Sequence, residues 1–337
     1  MRAVEVRGAF GLDHLALTGR PDPRPGHGEV LIRVRAVSLN YRDLLTVRGQ
    51  YNPKQKLPLI PCSDGVGEVV EVGEGVTRVR PEDRVCANFA QRWIAGEPTR
   101  DKLRSTLGGP LDGMLAELVV LSEEGVVRVP DHLTDEEAST LPCAGLTAWS
   151  TLITEGQMTA GESVLLQGTG GVSIFALQFA KLHGLRAIIT SSSDEKLARA
   201  RELGADETIN YKQTPDWAAR VKELTGGLGV DHVVEVGGAG TLKQSLTSVR
   251  FGGTISLMGV LAGNALELPL PLVFMQRVRL QGILVGSREG FEAMNRAIAL
   301  HRLRPVVDSV FPMEETRAAL ELMDRGGHFG KICIKID

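Results

Sequence analysis

A short glycine-rich stretch in the middle of the chain has the residue types that bind phosphate. It reads Gly168-Thr169-Gly170-Gly171-Val172-Ser173 and follows the apolar run 164–166. Glycines at the first two positions let backbone N–H groups approach a pyrophosphate, and a small Ser173 at the third lets a helix pack closely on a strand. The helix that begins here adds the positive end of its dipole. The stretch predicts a dinucleotide site, and the structural alternative is a tight turn without a ligand.

The residues after the second predicted strand bear on which dinucleotide binds. Sites specific for NAD usually place Asp or Glu about 20 residues after the first glycine, where the carboxylate binds the ribose hydroxyls. This chain has Thr190-Ser191-Ser192-Ser193 there instead. The hydroxyls of Ser191 and Ser192 can donate to a 2′-phosphate, and Lys196 supplies a positive charge nearby unless it is only a solvated helix residue. We therefore expect NADP(H) to be preferred over NAD(H).

The elements that position this loop alternate between strands and helices. A helix that opens at Thr134, in a capping box with Glu137, precedes the first strand, and further helices are predicted between the strands. The alternation predicts an α/β domain with a doubly wound parallel sheet of six strands, which two mononucleotide-binding halves require. The predicted strands are 164–167, 187–190, 207–209, 230–236, 254–258 and 280–286.

The two ends of the chain have a different pattern. Short alternating strands, such as 29–34 and 66–72, are separated by glycine and proline in the N-terminal part. This pattern is typical of a β-rich, barrel-like unit. We expect residues 1–125, completed by 287–337, to form this β-rich domain, and residues 126–286 to form the dinucleotide-binding domain.

Composition excludes several classes of function. The chain has 337 residues, a formal net charge of −3 and no basic block, which argues against a nucleic-acid partner. It has neither an apolar run long enough to span a bilayer nor a signal peptide. Its four cysteines are scattered, which argues against a disulfide framework or a structural zinc site. We expect a cytoplasmic protein with reduced thiols.

These features together resemble the medium-chain dehydrogenase/reductase superfamily over essentially the whole chain. The segment Leu141-Pro142-Cys143-Ala144-Gly145-Leu146-Thr147-Ala148-Trp149 resembles the start of its nucleotide-binding domain. Gly327-His328-Phe329-Gly330-Lys331-Ile332 is similar to its C-terminal signature. The resemblance implies a GroES-like catalytic domain, built from both ends of the chain, and a Rossmann domain between them.

The positions at which zinc-dependent members of this superfamily hold their metal are largely changed. Those alcohol dehydrogenases bind catalytic zinc with a Cys, a His and a second Cys. Here Ser63 and Asp64 lie where the His motif falls, and the region of the first Cys, 38–43, has no thiol. Only Cys143 matches a ligand position, and one thiolate cannot build a three-ligand site. We expect no zinc and interpret Cys143 as a small buried residue; the alternative is an unusual metal site in which Cys62 and Asp64 join Cys143.

Within the superfamily, the chain resembles the zinc-free branch of quinone oxidoreductases and enoyl reductases. Its signature has an Asn, an Asp three residues later and a Tyr eleven residues after the Asn, and Asn40, Asp43 and Tyr51 stand at those spacings. The resemblance implies that Tyr51 donates to the substrate oxygen and that Asn40 orients substrate or nicotinamide. Alternatively, Tyr51 is a loop aromatic and Asn40 bridges backbone groups. We interpret Asp43 as a helix cap.

Other residues are expected near the nicotinamide end of the cofactor. They are Thr147, near the ribose, and the lining residues Val260, Val285, Gly286 and Ser287. Without zinc, hydrogen-bond donors must polarise the substrate oxygen, which suits an activated C=C bond or a quinone better than an isolated carbonyl.

The sequence thus predicts a zinc-independent, NADP(H)-dependent oxidoreductase acting on an enone, quinone or related carbonyl. One alternative is an atypical alcohol dehydrogenase acting on alcohol or aldehyde, and another is a non-catalytic NADPH-binding structural or sensor protein. A homodimer is also expected, because the apolar strand 280–285 would lie at a sheet edge, where an unpaired ladder invites a partner strand.

Overall fold

The computed structural model describes residues 1–268 and 270–337, which form two units. Unit 1 comprises residues 1–146 and 285–337, and unit 2 comprises residues 147–284. The sequence analysis placed the first boundary at 125/126 instead. Residues 126–146 belong to unit 1 because Val126–Arg128 forms a strand that pairs with Arg84–Ala87 of the same unit.

The N-terminal part of unit 1 is mainly β-structure, as the glycine and proline punctuation predicted. Its strands are β1 (Arg2–Val6), β2 (Leu15–Gly19), β3 (Glu29–Ser38), β4 (Asp64–Val72), β5 (Arg84–Ala87), β6 (Leu118–Ser122) and β7 (Val126–Arg128). Its helices are α1 (Tyr41–Val47), α2 (Arg100–Leu103) and α3 (Asp135–Ser139). The capping box predicted at Thr134 is present, because the Thr134 hydroxyl accepts from the Glu137 N–H and the Glu137 carboxylate accepts from the Thr134 N–H.

Unit 2 alternates strands with helices. Its strands are β8 (Ser163–Gln167), β9 (Arg186–Ser191), β10 (Glu207–Asn210), β11 (Val230–Glu235), β12 (Val249–Leu257) and β13 (Arg279–Gly282). Its helices are α4 (Leu146–Trp149), whose first residue lies in unit 1, α5 (Gly171–Leu182), α6 (Asp194–Glu202), α7 (Trp217–Leu224), α8 (Leu242–Ser248) and α9 (Pro271–Phe274).

The described residues of unit 2 confirm the predicted parallel sheet of six strands, in the order β10-β9-β8-β11-β12-β13. The chain reverses its direction of winding between β8 and β11, and ligands bind beyond the carboxyl ends of the strands at such a switch point. Two strand bounds differ from prediction by more than one residue. β12 starts at Val249 because the pair Gly252-Gly253 lies within the strand, with Gly252 at φ +71°, instead of forming a turn. β13 stops at Gly282, before Val285 at φ +45°.

The C-terminal segment completes unit 1 with α10 (Arg288–His301), β14 (Val307–Pro312), α11 (Thr316–Asp324) and β15 (Lys331–Lys335). β15 pairs antiparallel with β3, so the last residues of the chain extend the N-terminal sheet. In the described residues this sheet runs β14-β15-β3-β4-β5-β7, with β6 also on β3. This pairing places Lys331, the first residue of β15, beside the end of β3. Within the described ranges, no helix is both long and apolar enough to cross a membrane.

Candidate cofactor and active sites

The glycine loop of unit 2 connects β8 to α5 and leaves open space in front of a helix end. Gly168 has φ +71°, a conformation that favours glycine, and a Cβ at Gly168 or Gly170 would meet no atom within 4 Å. Gly170 is the N-cap of α5 and offers no side-chain cap to the first N–H groups. Ser173 donates from Oγ to the carbonyl oxygen of Gln167 at 2.6 Å, which ties helix to strand. An uncapped helix end beside free space is suited to a pyrophosphate.

A buried carboxylate at the end of β11 holds the switch point together, and the sequence analysis did not identify it. Glu235 is fully buried. Its Oε1 accepts from the N–H groups of Gly237 (2.8 Å) and Gly238 (2.9 Å) and from the Thr241 hydroxyl. Its Oε2 accepts from Gln167 Nε2 at 2.8 Å and from the Ser245 hydroxyl. Five donors on one carboxylate therefore join the ends of β8 and β11, and the only sequence signal is a charge ending an apolar strand.

The predicted cofactor-selecting residues lie at the carboxyl end of β9. The Thr190 hydroxyl oxygen lies 3.4 Å from the Gly168 N–H, so this end of β9 adjoins the glycine loop. Ser191 is buried, whereas Ser192 is half-buried. Ser193 is the N-cap of α6 and accepts from the N–H of Lys196, whose side chain is half-buried. The structure thus brings the serines to the glycine loop, with Ser192 the more accessible of the two predicted donors.

Two residues beside the serines were not considered in the sequence analysis. Asp194 begins α6, and its carboxylate accepts from Asn210 Nδ2 at 2.7 Å and Gln213 Nε2 at 2.8 Å. These bonds engage the Asp194 carboxylate with the residues at the end of β10. Tyr211 follows β10, donates its N–H to the Ser191 carbonyl at 3.1 Å and has an exposed side chain. An aromatic ring next to the serines was detectable in the sequence only through the position of β10.

The residues expected near the nicotinamide differ in burial and are divided between the two units. In unit 2, Thr147 is buried and its carbonyl accepts from the Thr151 hydroxyl, while Val260 is exposed in the loop after β12. In unit 1, Val285 is buried at positive φ. Ser287 is the N-cap of α10, and its hydroxyl accepts from the Gly290 N–H at 3.2 Å. The Ser287 side chain is therefore already engaged in capping a helix.

A polar cluster in unit 1 surrounds the start of α1. Asn40 is the N-cap, and the Asp43 carboxylate accepts its N–H at 2.8 Å, as expected of a capping residue. Lys331 is only 3% exposed, and its Nζ donates to the Leu39 carbonyl and, at 2.6 Å, to Asn40 Oδ1. Because an ammonium only donates, it fixes the amide with Nδ2 on the other side. Asn40 Nδ2 meets no acceptor with good geometry in the described residues. Asn40 nevertheless lies near enough to Asp64 to favour the charged form of the Asp64 carboxyl and so to lower its pKa.

The same cluster contains a second buried carboxylate at the start of β4. Asp64 accepts from the Ser63 hydroxyl at 2.8 Å and from the Cys143 N–H at 3.1 Å. Burial raises the pKa of Asp64 to about 6, against the opposing attraction of the Lys331 ammonium. Burial also raises the pKa of the Cys143 thiol, and the neighbouring Asp64 charge raises it further. Both groups thus favour their protonated forms more than they do in water.

The residues of this cluster do not fit the catalytic zinc of the zinc-dependent relatives. In the described part of the chain, no three His, Cys, Asp or Glu side chains are grouped so that they could hold a metal ion. Asn40 and Asp64 lie in the regions of two missing ligands, and the one remaining thiol, Cys143, has a raised pKa. A zinc ligand must be deprotonated, and the buried Lys331 ammonium already supplies a positive charge to this cluster.

Tyr51 lies in the loop that follows α1. Its side chain is 48% exposed, and its ring stacks on the guanidinium of Arg42, with 4.8 Å between Cζ and the ring centroid. Arg42 and Asn40 belong to the same end of α1, so the structure brings Asn40, Asp43 and Tyr51 to one region of unit 1. No sequence motif pointed to Arg42 or gave a role to Lys331.

Family comparisons cover both units. Residues 26–131 match the alcohol dehydrogenase GroES-like domain, and residues 171–300 match the zinc-binding dehydrogenase family. A zinc-type alcohol dehydrogenase-like protein of Schizosaccharomyces pombe is 43% identical over 92% of this chain and 91% of its own length. An acryloyl-coenzyme A reductase of Metallosphaera sedula is 31% identical over 93% of this chain and 94% of its own.

Solved structures agree with these matches. A putative alcohol dehydrogenase from Sinorhizobium meliloti superposes with a TM-score of 0.92 at 43% identity, over 99% of this chain and 98% of that one. An NAD-dependent alcohol dehydrogenase gives 0.92 at 34% identity, with both chains fully covered. A mycobacterial protein complexed with NADPH gives 0.83 at 28% identity, also with both chains fully covered. The chain belongs to the medium-chain dehydrogenase/reductase superfamily and is an oxidoreductase with a GroES-like and a Rossmann domain.

Proposed function

We propose that the protein is a zinc-independent, NADP(H)-dependent reductase of activated C=C bonds or quinones. The observation that carries this proposal is the buried Lys331 ammonium, which is bonded to Asn40 in a cluster where only Cys143 stands at one of the three usual positions of a zinc ligand. A lysine and an amide are hydrogen-bonding groups rather than ligands for zinc. The polar cluster of unit 1 therefore acts on substrate through hydrogen bonds.

Unit 2 holds the cofactor in this proposal. Gly168, Thr169, Gly170, Gly171 and Val172 bind the pyrophosphate at the start of α5, where open space and an uncapped helix end coincide. Bound NADPH supplies the hydride. Ser192 and Lys196 are the groups that favour a 2′-phosphate, together with Ser191 if its buried hydroxyl turns outward, and the exposed Tyr211 ring is an additional candidate contact. The engaged Asp194 carboxylate is compatible with this preference, because Asn210 and Gln213 occupy its oxygens.

For conjugate reduction, unit 1 needs to supply only a hydrogen-bond and proton donor near the substrate oxygen. Hydride goes to the β-carbon, negative charge develops on the distant oxygen, and a hydroxyl donor near that oxygen stabilises it and supplies a proton. Tyr51 has a half-exposed side chain and is our choice for this donor, and Asn40 orients the substrate or the nicotinamide. Thr147, Val260 and Val285 are assigned to the nicotinamide end, whereas Ser287 is assigned there only through its backbone.

The donor role is tested by Tyr51→Phe with a small enone such as methyl vinyl ketone. We expect kcat to fall about tenfold or more, since general acid catalysis contributes factors of this size or larger, while the Kd for NADPH is unchanged. Tyr41→Phe, at the first residue of α1, is the matched control. Equal turnover in wild type and Tyr51→Phe would remove Tyr51 from the mechanism.

The cofactor preference is tested by fluorescence titration with NADPH and NADH. We expect NADPH to bind at least tenfold more tightly, and Ser192→Asp to reverse this order by placing a carboxylate against the 2′-phosphate. Equal affinities in the wild-type protein would contradict the preference.

One other function has specific support. The names of the S. pombe and S. meliloti relatives favour an alcohol dehydrogenase, which would require an atypical metal site from Cys62, Asp64 and Cys143. Alcohol oxidation that depends on stoichiometric zinc would establish it.

The proposal extends to assembly and location. β13 is the edge strand of the unit 2 sheet in the described residues, and exposed apolar side chains lie near it, at Phe274, Met275 and Leu284. Pairing of two such edges would give a homodimer, and a monomeric mass in solution would exclude it. A cytoplasmic location is supported by Cys62, Cys86, Cys143 and Cys333, which are all free thiols.

A further inference from the structure

Arg42 is a buried arginine that none of the roles above uses. It is the second residue of α1 and only 9% exposed. Its Nη1 donates to the Leu107 carbonyl at 2.9 Å, and its Nη2 donates to the Gly109 carbonyl at 3.2 Å. Asp43 Oδ1 lies 3.5 Å from Nη1 and offsets the buried charge. These contacts fix the edge of the guanidinium, so its plane has a defined orientation.

Two aromatic rings, those of Tyr51 and Phe89, contact this guanidinium. Cζ is 4.8 Å from the centroid of the Tyr51 ring and 5.0 Å from that of Phe89. Phe89 is buried, whereas Tyr51 lies in a loop and is half-exposed. The face of an aromatic ring attracts such a cation, and the attraction is stronger where the contact is desolvated. Arg42 thus connects a rigid part of the unit to a loop aromatic that otherwise has much of its surface in solvent.

A backbone hydrogen bond restrains the main chain of Tyr51 but not its side chain. Its N–H donates to the Leu45 carbonyl at 3.1 Å, which fixes the backbone at the end of α1 but leaves the side-chain torsions open. A general acid must hold its hydroxyl within hydrogen-bond reach of the developing oxyanion. A misplacement of about 1 Å costs factors of about 10² in rate. The ring therefore requires a side-chain contact to set its direction, and the guanidinium plane provides one.

We propose that Arg42 is a positioning residue that orients the Tyr51 ring for proton donation and acts on catalysis only through Tyr51. This inference rests on the proposed function, in which the Tyr51 hydroxyl donates to the substrate oxygen. Lysine cannot replace Arg42, because an ammonium has neither a planar face for stacking nor a fork that spans the carbonyls of Leu107 and Gly109. A purely structural role would instead stabilise the 107–109 segment without any link to the Tyr51 hydroxyl.

A double-mutant cycle separates these roles, with enone reduction by the full-length protein as the assay. Arg42→Lys is expected to lower kcat about fivefold to tenfold in the wild-type background and less than twofold in the Tyr51→Phe background. Arg48→Lys is the matched control, since Arg48 is the C-cap of the same helix and pairs with Asp324 at the surface; its kcat is expected to be unchanged. Equal loss in both backgrounds would show that Arg42 does not act through Tyr51. A wild-type rate in Tyr51→Phe alone would instead refute the donor role of Tyr51 on which this inference rests.

A second readout does not depend on activity. The chain has three tyrosines, so ¹⁹F NMR of the 3-fluorotyrosine-labelled protein can resolve each ring, with the Tyr51 resonance assigned by its loss in Tyr51→Phe. Arg42→Lys is expected to shift that resonance toward the position of unfolded chain and to leave the other two in place. An unmoved Tyr51 resonance in folded Arg42→Lys would overturn the proposal. If Arg42→Lys cannot be purified folded, Arg42→Gln, which retains one donor to the Leu107 carbonyl, is scored by the same criteria.

Discussion

The two units each bury a carboxylate beside the residues assigned to function, but they satisfy it differently. In unit 2, Glu235 receives five hydrogen-bond donors and makes no close ion pair in the described residues. In unit 1, Asp64 receives two donors and has its pKa raised to about 6. In the same cluster Asn40 Nδ2 meets no acceptor in the described residues, and on α1 neither Arg42 Nε nor Thr46 Oγ1 has a hydrogen-bond partner there.

The difference indicates what each cluster is built to do. A fully bonded buried network stabilises one conformation, as the cofactor loop requires. A cluster with unpaired polar atoms and a carboxyl that titrates near neutrality is costly to the fold and is typical of sites that handle protons or substrate. We infer that the Glu235 network of unit 2 holds the cofactor loop in one conformation. The Asp64 cluster of unit 1 is suited to binding substrate or transferring protons.

The largest effect should come from removing the carboxylate of the satisfied network. Glu235→Ala leaves five donors without an acceptor and is expected to lower the free energy of unfolding by about 3–5 kcal/mol, measured by denaturant titration. Glu207→Ala is the control, because Glu207 is in an exposed ion pair with Arg186 at 3.6 Å, where a change within about 0.5 kcal/mol is expected. A loss below about 1 kcal/mol in Glu235→Ala would remove the distinction between the networks.

Lys331→Met tests the unit 1 cluster next. It removes the donor to Leu39 and Asn40 and the positive charge that offsets Asp64, so we expect a loss of about 2–4 kcal/mol. Lys331→Met with Asp64→Asn should be less destabilised than the sum of the single variants, because the carboxyl that needed the ammonium is gone. Strict additivity in urea denaturation would show that the two side chains are uncoupled.

Two buried groups, Asp64 in unit 1 and His232 in unit 2, should contribute pH dependences of stability with opposite signs. Burial raises the pKa of Asp64 from 3.8 to about 6, so its contribution is fully present below about pH 4 and is lost as the pH rises through about 6. Burial lowers the pKa of His232 in unit 2 from 6.5 to about 4, so its contribution is present above pH 6.5 and is lost as the pH falls through about 4.

Single variants separate these slopes. Between pH 4 and 6, Asp64→Asn is expected to gain about 2–3 kcal/mol of stability relative to wild type as the pH rises. His232→Gln is expected to gain a similar amount relative to wild type as the pH falls, since glutamine retains a group for the Ser256 hydroxyl, 2.8 Å from His232 Nε2. Parallel pH profiles of the three proteins would contradict both assignments.

The smallest effect concerns Ser287, which sequence alone placed at the cofactor. Ser287→Ala removes the cap of α10 and should cost about 1 kcal/mol of stability with no change in the Kd for NADPH. Thr134→Ala removes the cap of α3, a helix without any proposed cofactor role, and should cost a similar amount. A markedly weaker Kd in Ser287→Ala alone would return its hydroxyl to the cofactor site.

The sequence was most informative where function depends on backbone conformation or on strict alternation. The glycine loop, the six parallel strands and the β-rich ends follow from positive φ, side-chain-free space and periodicity, which are local properties, whereas the GroES-like assignment came from the family resemblance. Lys331 and Asn40 are 291 positions apart, and Gln167 and Glu235 are 68 apart, so only the folded sheets bring them together.

Three further features could not be predicted from the sequence, because each depends on contacts that form only in the folded chain. The stacking of Arg42 on Tyr51 depends on how a loop folds back on a helix, and no spacing rule encodes it. Asp194 is adjacent to the serines that were identified, but its engagement depends on Asn210 in another strand. The unit boundary shifted because β7 pairs with β5, a contact that the periodicity of residues 126–128 does not indicate.

The central claim is that hydrogen-bonding groups of unit 1 take the place of a metal, and one measurement tests it most directly. NADPH-dependent reduction of methyl vinyl ketone is assayed before and after dialysis against a strong chelator, with zinc counted per chain in protein purified without a His-tag. We predict well under one zinc per chain and the same kcat in both samples. Stoichiometric zinc, with activity lost on chelation and restored by Zn²⁺, would contradict the account.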